Sequence, residues 1–182
     1  MNIKKINAIL SLLLFLLLLI HIIYQMIAYI MFLYQPVVTK LLGYAVIVPM
    51  LCHAILSVIN VLFLHDSRTI LYKKANAVTC LQRISAVIMV LLLPAHVDSF
   101  SLYDMTAGTG AFFVSAAIQI LFYAAVLIHV AASFSKSLVT LGLLGDYRKM
   151  KTIDRIMYAV CTVLFIVVSV VVTKTSMTLF GM

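Results

Sequence analysis

Five apolar runs, separated by short polar stretches, leave this chain one class of fold. They cover residues 6–34, 41–64, 77–95, 111–141 and 153–180. Crossing the hydrocarbon core of a bilayer, about 30 Å thick, takes roughly 20 residues of helix, and each run meets that length with allowance for tilt. Backbone N–H and C=O groups in lipid must find partners within their own segment, so each run is expected as a helix. The expected fold is all-α: an integral membrane bundle of five transmembrane helices, forming a single domain over residues 1–182.

Composition supports this class. Of 182 residues, 65% are hydrophobic and 10% are charged, and no Glu is present. That is too little polar surface for a water-soluble domain of this size. The stretches between runs hold helix breakers and charges: Gln35-Pro36, His65-Asp66-Ser67-Arg68, Lys73-Lys74, the Gly-containing segment from Asp98 to Gly110, and Gly145-Asp146 with Arg148-Lys149-Met150-Lys151. Lys4 and Lys5 before Leu-rich sequence look like the start of a secretory signal. The apolar stretch that follows is too long for one and ends without a small-x-small cleavage site, so a retained first span is expected.

The net charge of +8 reads as topology. No basic patch interleaved with aromatics, as nucleic acid binding requires, is present. With the N-terminus in the cytoplasm, only Lys40 and Lys174 of the 13 Lys and Arg residues fall outside, a strong positive-inside bias. The C-terminus is then outside. Cys52, Cys80 and Cys161 form no Cys-x-x-Cys pair and are expected as small buried hydrophobes.

Four of the five histidines, His21, His53, His96 and His129, lie in the first, second, third and fourth runs in turn. An ionisable side chain in a membrane is expensive and marks a functional candidate. The plain alternative for any one of them is a histidine bonded to a neighbouring helix. One in each of four consecutive runs favours a shared purpose, and neutral imidazole is an axial ligand of haem iron. Counted from the cytoplasmic face at ~1.5 Å per residue, His53 is about 16 Å deep, His129 about 18 Å, His21 about 22 Å and His96 about 28 Å. Two pairs follow: His53 with His129 nearer the cytoplasm, and His21 with His96 nearer the outside. Pro49 and Pro94 precede His53 and His96 by a turn or less, where each frees a carbonyl and bends the helix. His65, beside Asp66 at the end of the second run, reads as an interfacial residue.

Three further groups complete the candidate site. Arg83, Ser133 and Lys136 are placed to meet haem propionates near the inner face, with snorkelling to lipid headgroups an equal alternative for Arg83 and Lys136. Asp98, two residues after His96, is the carboxylate nearest an outer ligand. It is a candidate proton acceptor, against the plainer role of solvating a helix end.

The stretches Pro49-Met50-Leu51-Cys52-His53-Ala54, Leu81-Gln82-Arg83-Ile84-Ser85 leading to His96-Val97, and Phe122-Tyr123 through His129 to Ser133 and Ser137 form an ordered set. With them the chain resembles the five-helix, di-haem cytochrome b subunit of succinate dehydrogenases and fumarate reductases of the Bacillus-like type. The resemblance covers nearly the whole chain, and the family's four ligand histidines fall on His21, His53, His96 and His129. It implies a bacterial cell-membrane subunit that anchors a flavoprotein and an iron–sulfur protein on the cytoplasmic side. It also implies two b haems and menaquinone or a related quinone, with the dicarboxylate chemistry in a partner. The family's pairing, second helix with fourth and first with third, agrees with the depths above. One departure is Leu127, where some members carry a Glu used for proton movement; the resemblance gives this chain no such path.

Two other functions stay open on sequence alone. One is a haem-free transporter component whose histidines relay protons. The other is a di-haem cytochrome b of a different quinone-linked enzyme, such as a hydrogenase or formate dehydrogenase.

Overall fold

The computed structural model describes residues 2–33, 35–63, 73–98 and 108–179. Among the described residues there is no strand, and the chain forms α1 (Ile3–Met31), α2 (Pro36–Phe63), α3 (Lys73–Asp98), α4 (Gly108–Thr140) and α5 (Tyr147–Leu179). At 26 to 33 residues the helices are about 39 to 50 Å long, longer than the hydrocarbon they must cross. All five are long and apolar enough to span a membrane. The chain is an all-helical, multi-pass membrane protein in contact with lipid. Tyr34, Leu64, His65, Asp66, Arg68, Asp104 and Phe180 lie outside the described residues.

The helices outrun the apolar runs because polar residues cap them. Asn2 accepts a hydrogen bond from Lys4 N–H at 3.1 Å and starts α1 ahead of the first apolar run, as a short polar side chain does at an N-cap. α1 stops at Phe32, whose φ of 52° is left-handed, and Leu33 N–H closes the end on Ala28 C=O at 3.0 Å. α2 begins at Pro36, five residues before the second apolar run, because proline's missing N–H costs nothing in the first turn. Gly142, at φ 79°, ends α4: its N–H meets Val139 C=O and Leu143 N–H meets Leu138 C=O, both at 3.0 Å. These are the paired bonds of a Schellman cap. Asp146 then opens α5, its Oδ1 accepting from Arg148 N–H at 2.8 Å. A carboxylate there also suits the positive end of the helix dipole.

The chain divides into two compact units. The first comprises residues 1–73 and 133–155: α1, α2, the C-terminal end of α4 and the first turns of α5. In it Asn7 donates to Ser57 Oγ at 3.1 Å, Ser137 donates to Ser11 Oγ at 3.1 Å, and the Phe15 and Phe134 rings lie 4.9 Å apart. Asn7 and Ser11 of α1 therefore face protein, and the opposite stripe, Leu16, Ile20, Ile23 and Ile27, is exposed. This reverses the pattern of a soluble helix: lipid is as apolar as the side chains, so packing and hydrogen bonds, not burial of oil, choose the inner face.

The second unit comprises residues 74–132 and 156–182: α3, most of α4 and most of α5. Its buried positions on α4 include Gln119, Phe122, Ala125, Leu127, Ala131 and Ala132. α5 buries Met157, Cys161, Val168, Val172 and Thr175 at intervals of three, four and seven residues, one stripe of a helix. Cys161 is buried as expected, but Cys52 and Cys80 are exposed and all three are free thiols. The last two face outward because nothing in lipid penalises an outward thiol.

Candidate haem-ligand site

α3 and α4 are joined at two levels, each by a histidine. At the first, His129 Nδ1 on α4 lies 3.0 Å from the Gln82 carbonyl on α3. A carbonyl only accepts, so Nδ1 carries the proton and donates. Buried Ser85 donates to the same carbonyl at 2.9 Å, and its Oγ is 3.5 Å from Nδ1. At the second level, His96 Nδ1 on α3 lies 2.7 Å from Gln119 Oε1 on α4. The Gln119 amide N–H donates to the Ala95 carbonyl at 3.3 Å, which turns Oε1 toward the histidine and makes Nδ1 the donor again. The Phe122 ring stacks on the His96 imidazole, centroids 4.3 Å apart and planes 17° apart, with Tyr123 edge-on at 6.0 Å. The partners run in opposite order along the two helices, so the pair is antiparallel. Ten residues separate Gln119 from His129 on α4, about 15 Å along the axis.

The shared feature is chemical. An imidazole that donates through Nδ1 to a carbonyl holds its lone pair on Nε2 and presents that atom in ligand form; metal-bound histidines are held this way, and the bond makes the ligand more basic. Among the described residues no three His, Cys, Asp or Glu side chains gather into a metal-binding group. Axial ligation of haem asks only for one imidazole on each face of the ring. The donor chemistry of His96 and His129 fits that role.

The other two histidines belong to the first unit, and each expected pair takes one member from each unit. His53, on α2, hydrogen-bonds to the backbone of Asn7 on α1. With Asn7 paired to Ser57, His53 is level with about residue 11 of α1, so His21 lies about 15 Å further along, more than the difference between the two depths expected from the sequence. Both Nδ1 atoms are buried without a hydrogen-bond partner, so the contacts these two rings make lie elsewhere on the ring, and neither shares the Nδ1-donating posture of His96 and His129.

Arg83 is exposed on α3, next to the Gln82 whose carbonyl meets His129, and so lies at the His129 level. Ser133, one turn beyond His129, is buried, and its carbonyl accepts from Ser137 Oγ at 3.3 Å. Lys136 is half-buried a turn further. Asp98 is the last residue of α3 and is exposed, two residues past His96. Leu127 is buried on α4. Gln119 escaped the sequence reading. Its signal was there: one amide in an otherwise apolar stretch, Ile118-Gln119-Ile120-Leu121-Phe122, where a polar group in lipid needs a partner. No family model, curated protein or solved structure matches the chain.

Proposed function

We propose that this chain is the membrane-anchor and electron-transfer subunit of a succinate dehydrogenase or fumarate reductase complex, with two b haems between a quinone site and a cytoplasmic iron–sulfur subunit. The observation that carries this reading is the common posture of His96 and His129, each donating through Nδ1 to a carbonyl, at two levels of one helix pair. His21 and His53 would supply the partner imidazoles, and a haem held by these histidines would supply one-electron transfer. Arg83, Ser133 and Lys136 hold the propionates by charge-assisted and hydroxyl bonds. Asp98 takes a proton from quinol where α3 ends. The N-terminus is cytoplasmic, which puts the basic segments on the side of the flavoprotein and iron–sulfur partners in the bacterial cell membrane.

Pyridine haemochrome quantification tests this directly: about two haem b per polypeptide are expected, and a value near zero from haem-replete membranes rejects it. Affinity capture from membranes should retain a flavoprotein and an iron–sulfur protein. Recovery of a hydrogenase or formate dehydrogenase instead assigns the cytochrome to a different enzyme.

One observation favours a second reading, a haem-free protein with proton-relaying histidines. His53 hydrogen-bonds to the backbone of Asn7, whose side-chain Oδ1 is buried with no hydrogen-bond partner, a place where internal water would bind. The absorption spectrum of the purified chain separates the two readings.

A further inference from the structure

His96 and His129 share a posture but differ in what holds it. The acceptor for His129 is the backbone carbonyl of residue 82, which any side chain at that position would supply. The acceptor for His96 is a side chain, Gln119 Oε1, at the shorter distance of 2.7 Å. Gln119 is 5% exposed, and an amide so placed in a membrane is costly unless bonded at both ends. Both ends are used on one turn of α3: the oxygen on His96, the nitrogen on Ala95 C=O at 3.3 Å. Phe122, three residues on and on the same face of α4, closes the flat side of the imidazole at 4.3 Å. Gln119 fixes the tautomer of the ring and Phe122 fixes its rotation.

We propose that Gln119 is the positioning residue for His96: it keeps the proton on Nδ1, aims Nε2, and sets the electron density of that ligand independently of the His129 level. The inference rests on the reading of His96 as a haem ligand and deepens it. A carbonyl acceptor on Nδ1 makes the imidazole more electron-donating, and a more donating ligand favours the oxidised metal. Without that acceptor the midpoint potential of the His96-level haem rises and its retention weakens, by the 10- to 100-fold typical of lost outer partners. A carboxylic acid at 119 restores the arrangement, with its O–H donating to Ala95 C=O and its C=O accepting from His96.

The test is an optical redox titration of the full chain in haem-replete membranes, comparing the unsubstituted protein with Gln119→Met, Gln119→Asn and Gln119→Glu. Met removes the acceptor; Asn keeps an amide but loses reach, and serves if Met does not fold. The expected result has two components in the parent. One of them shifts upward or is lost in Met and Asn, and stays at or below the parent value in Glu, while the other does not move. The moving component must be the one that His96→Ala deletes. Potentials unchanged in the removal variants, or all three variants shifting alike, overturn the role of Gln119 and leave the haem reading standing. A parent chain without haem overturns both.

Discussion

At Phe32 the backbone is left-handed, φ 52°, a conformation that costs an L-residue about 1–2 kcal/mol and glycine almost nothing. The side chain is exposed, so removing it sacrifices little packing. Phe32→Gly should stabilise the chain by about 1 kcal/mol, read as a higher thermal unfolding midpoint in detergent; a lower midpoint would show that the ring anchors the helix end. At the histidines, His53→Ala and His129→Ala are expected to delete one common component from a redox titration, and His21→Ala and His96→Ala the other. Deletion of one common component by His53→Ala and His96→Ala would break the pairing. At Asp98, Asn substitution should leave both haems in place and lower quinol turnover on the order of a hundredfold, the usual size of a general-base contribution. Unchanged turnover with an unchanged pH profile would remove Asp98 from the chemistry and move the search to the cytoplasmic side.

Helices this long have most of their hydrogen bonds fixed by lipid, and their ends carry the adjustable energy. The link from α4 to α5 concentrates it. Gly142 terminates α4 at φ 79°, where an added Cβ meets nothing within 4 Å, so the cost of Gly142→Ala is conformational, about 1 kcal/mol. Asp146 caps α5 through the 2.8 Å bond to Arg148 N–H, and Asp146→Ala should cost about 1 kcal/mol. The two positions are close in sequence, so the double variant tests whether the turn acts as a unit: an additive loss means independent caps, a smaller loss means one structure broken twice. Thermal unfolding of the two single variants and the double variant provides the three values. Pro49 and Pro94, inside α2 and α3, were legible in the sequence as helix-interior prolines. The starts of α2 at Pro36 and α1 at Ile3 were not, because hydropathy ignores the caps that extend a helix beyond its apolar stretch.

For the whole molecule, orientation is a property of charge. Lys149 lies in the first turn of α5 and Lys40 in the second turn of α2. With the native cysteines replaced, a thiol at position 149 should react with an impermeant reagent only in inside-out vesicles, and a thiol at position 40 only in right-side-out vesicles. The opposite pattern would reverse the topology that the Lys and Arg distribution implies. The exposed apolar faces, Leu91 and Val114 among them, are what a lipid solvent permits and call for no further explanation.

The sequence by itself determined that the protein has five membrane-length helices, because runs of this length and apolarity have no other way to satisfy their backbone in lipid. It also determined that a histidine sits in each of the first four. Tertiary structure alone decided which atom holds each imidazole. Gln82 was visible as part of a motif, yet the group that meets His129 is its carbonyl, which every residue possesses. Gln119 was visible as a polar residue in lipid, yet its partner is on another helix. Inside a bilayer the apolar stripe that would reveal the inward face of a soluble helix is missing, since lipid and protein interior are equally apolar. The meeting of Gln119 with His96, and of His129 with residue 82, is therefore set by how α3 packs on α4, a register that no local pattern in either helix records.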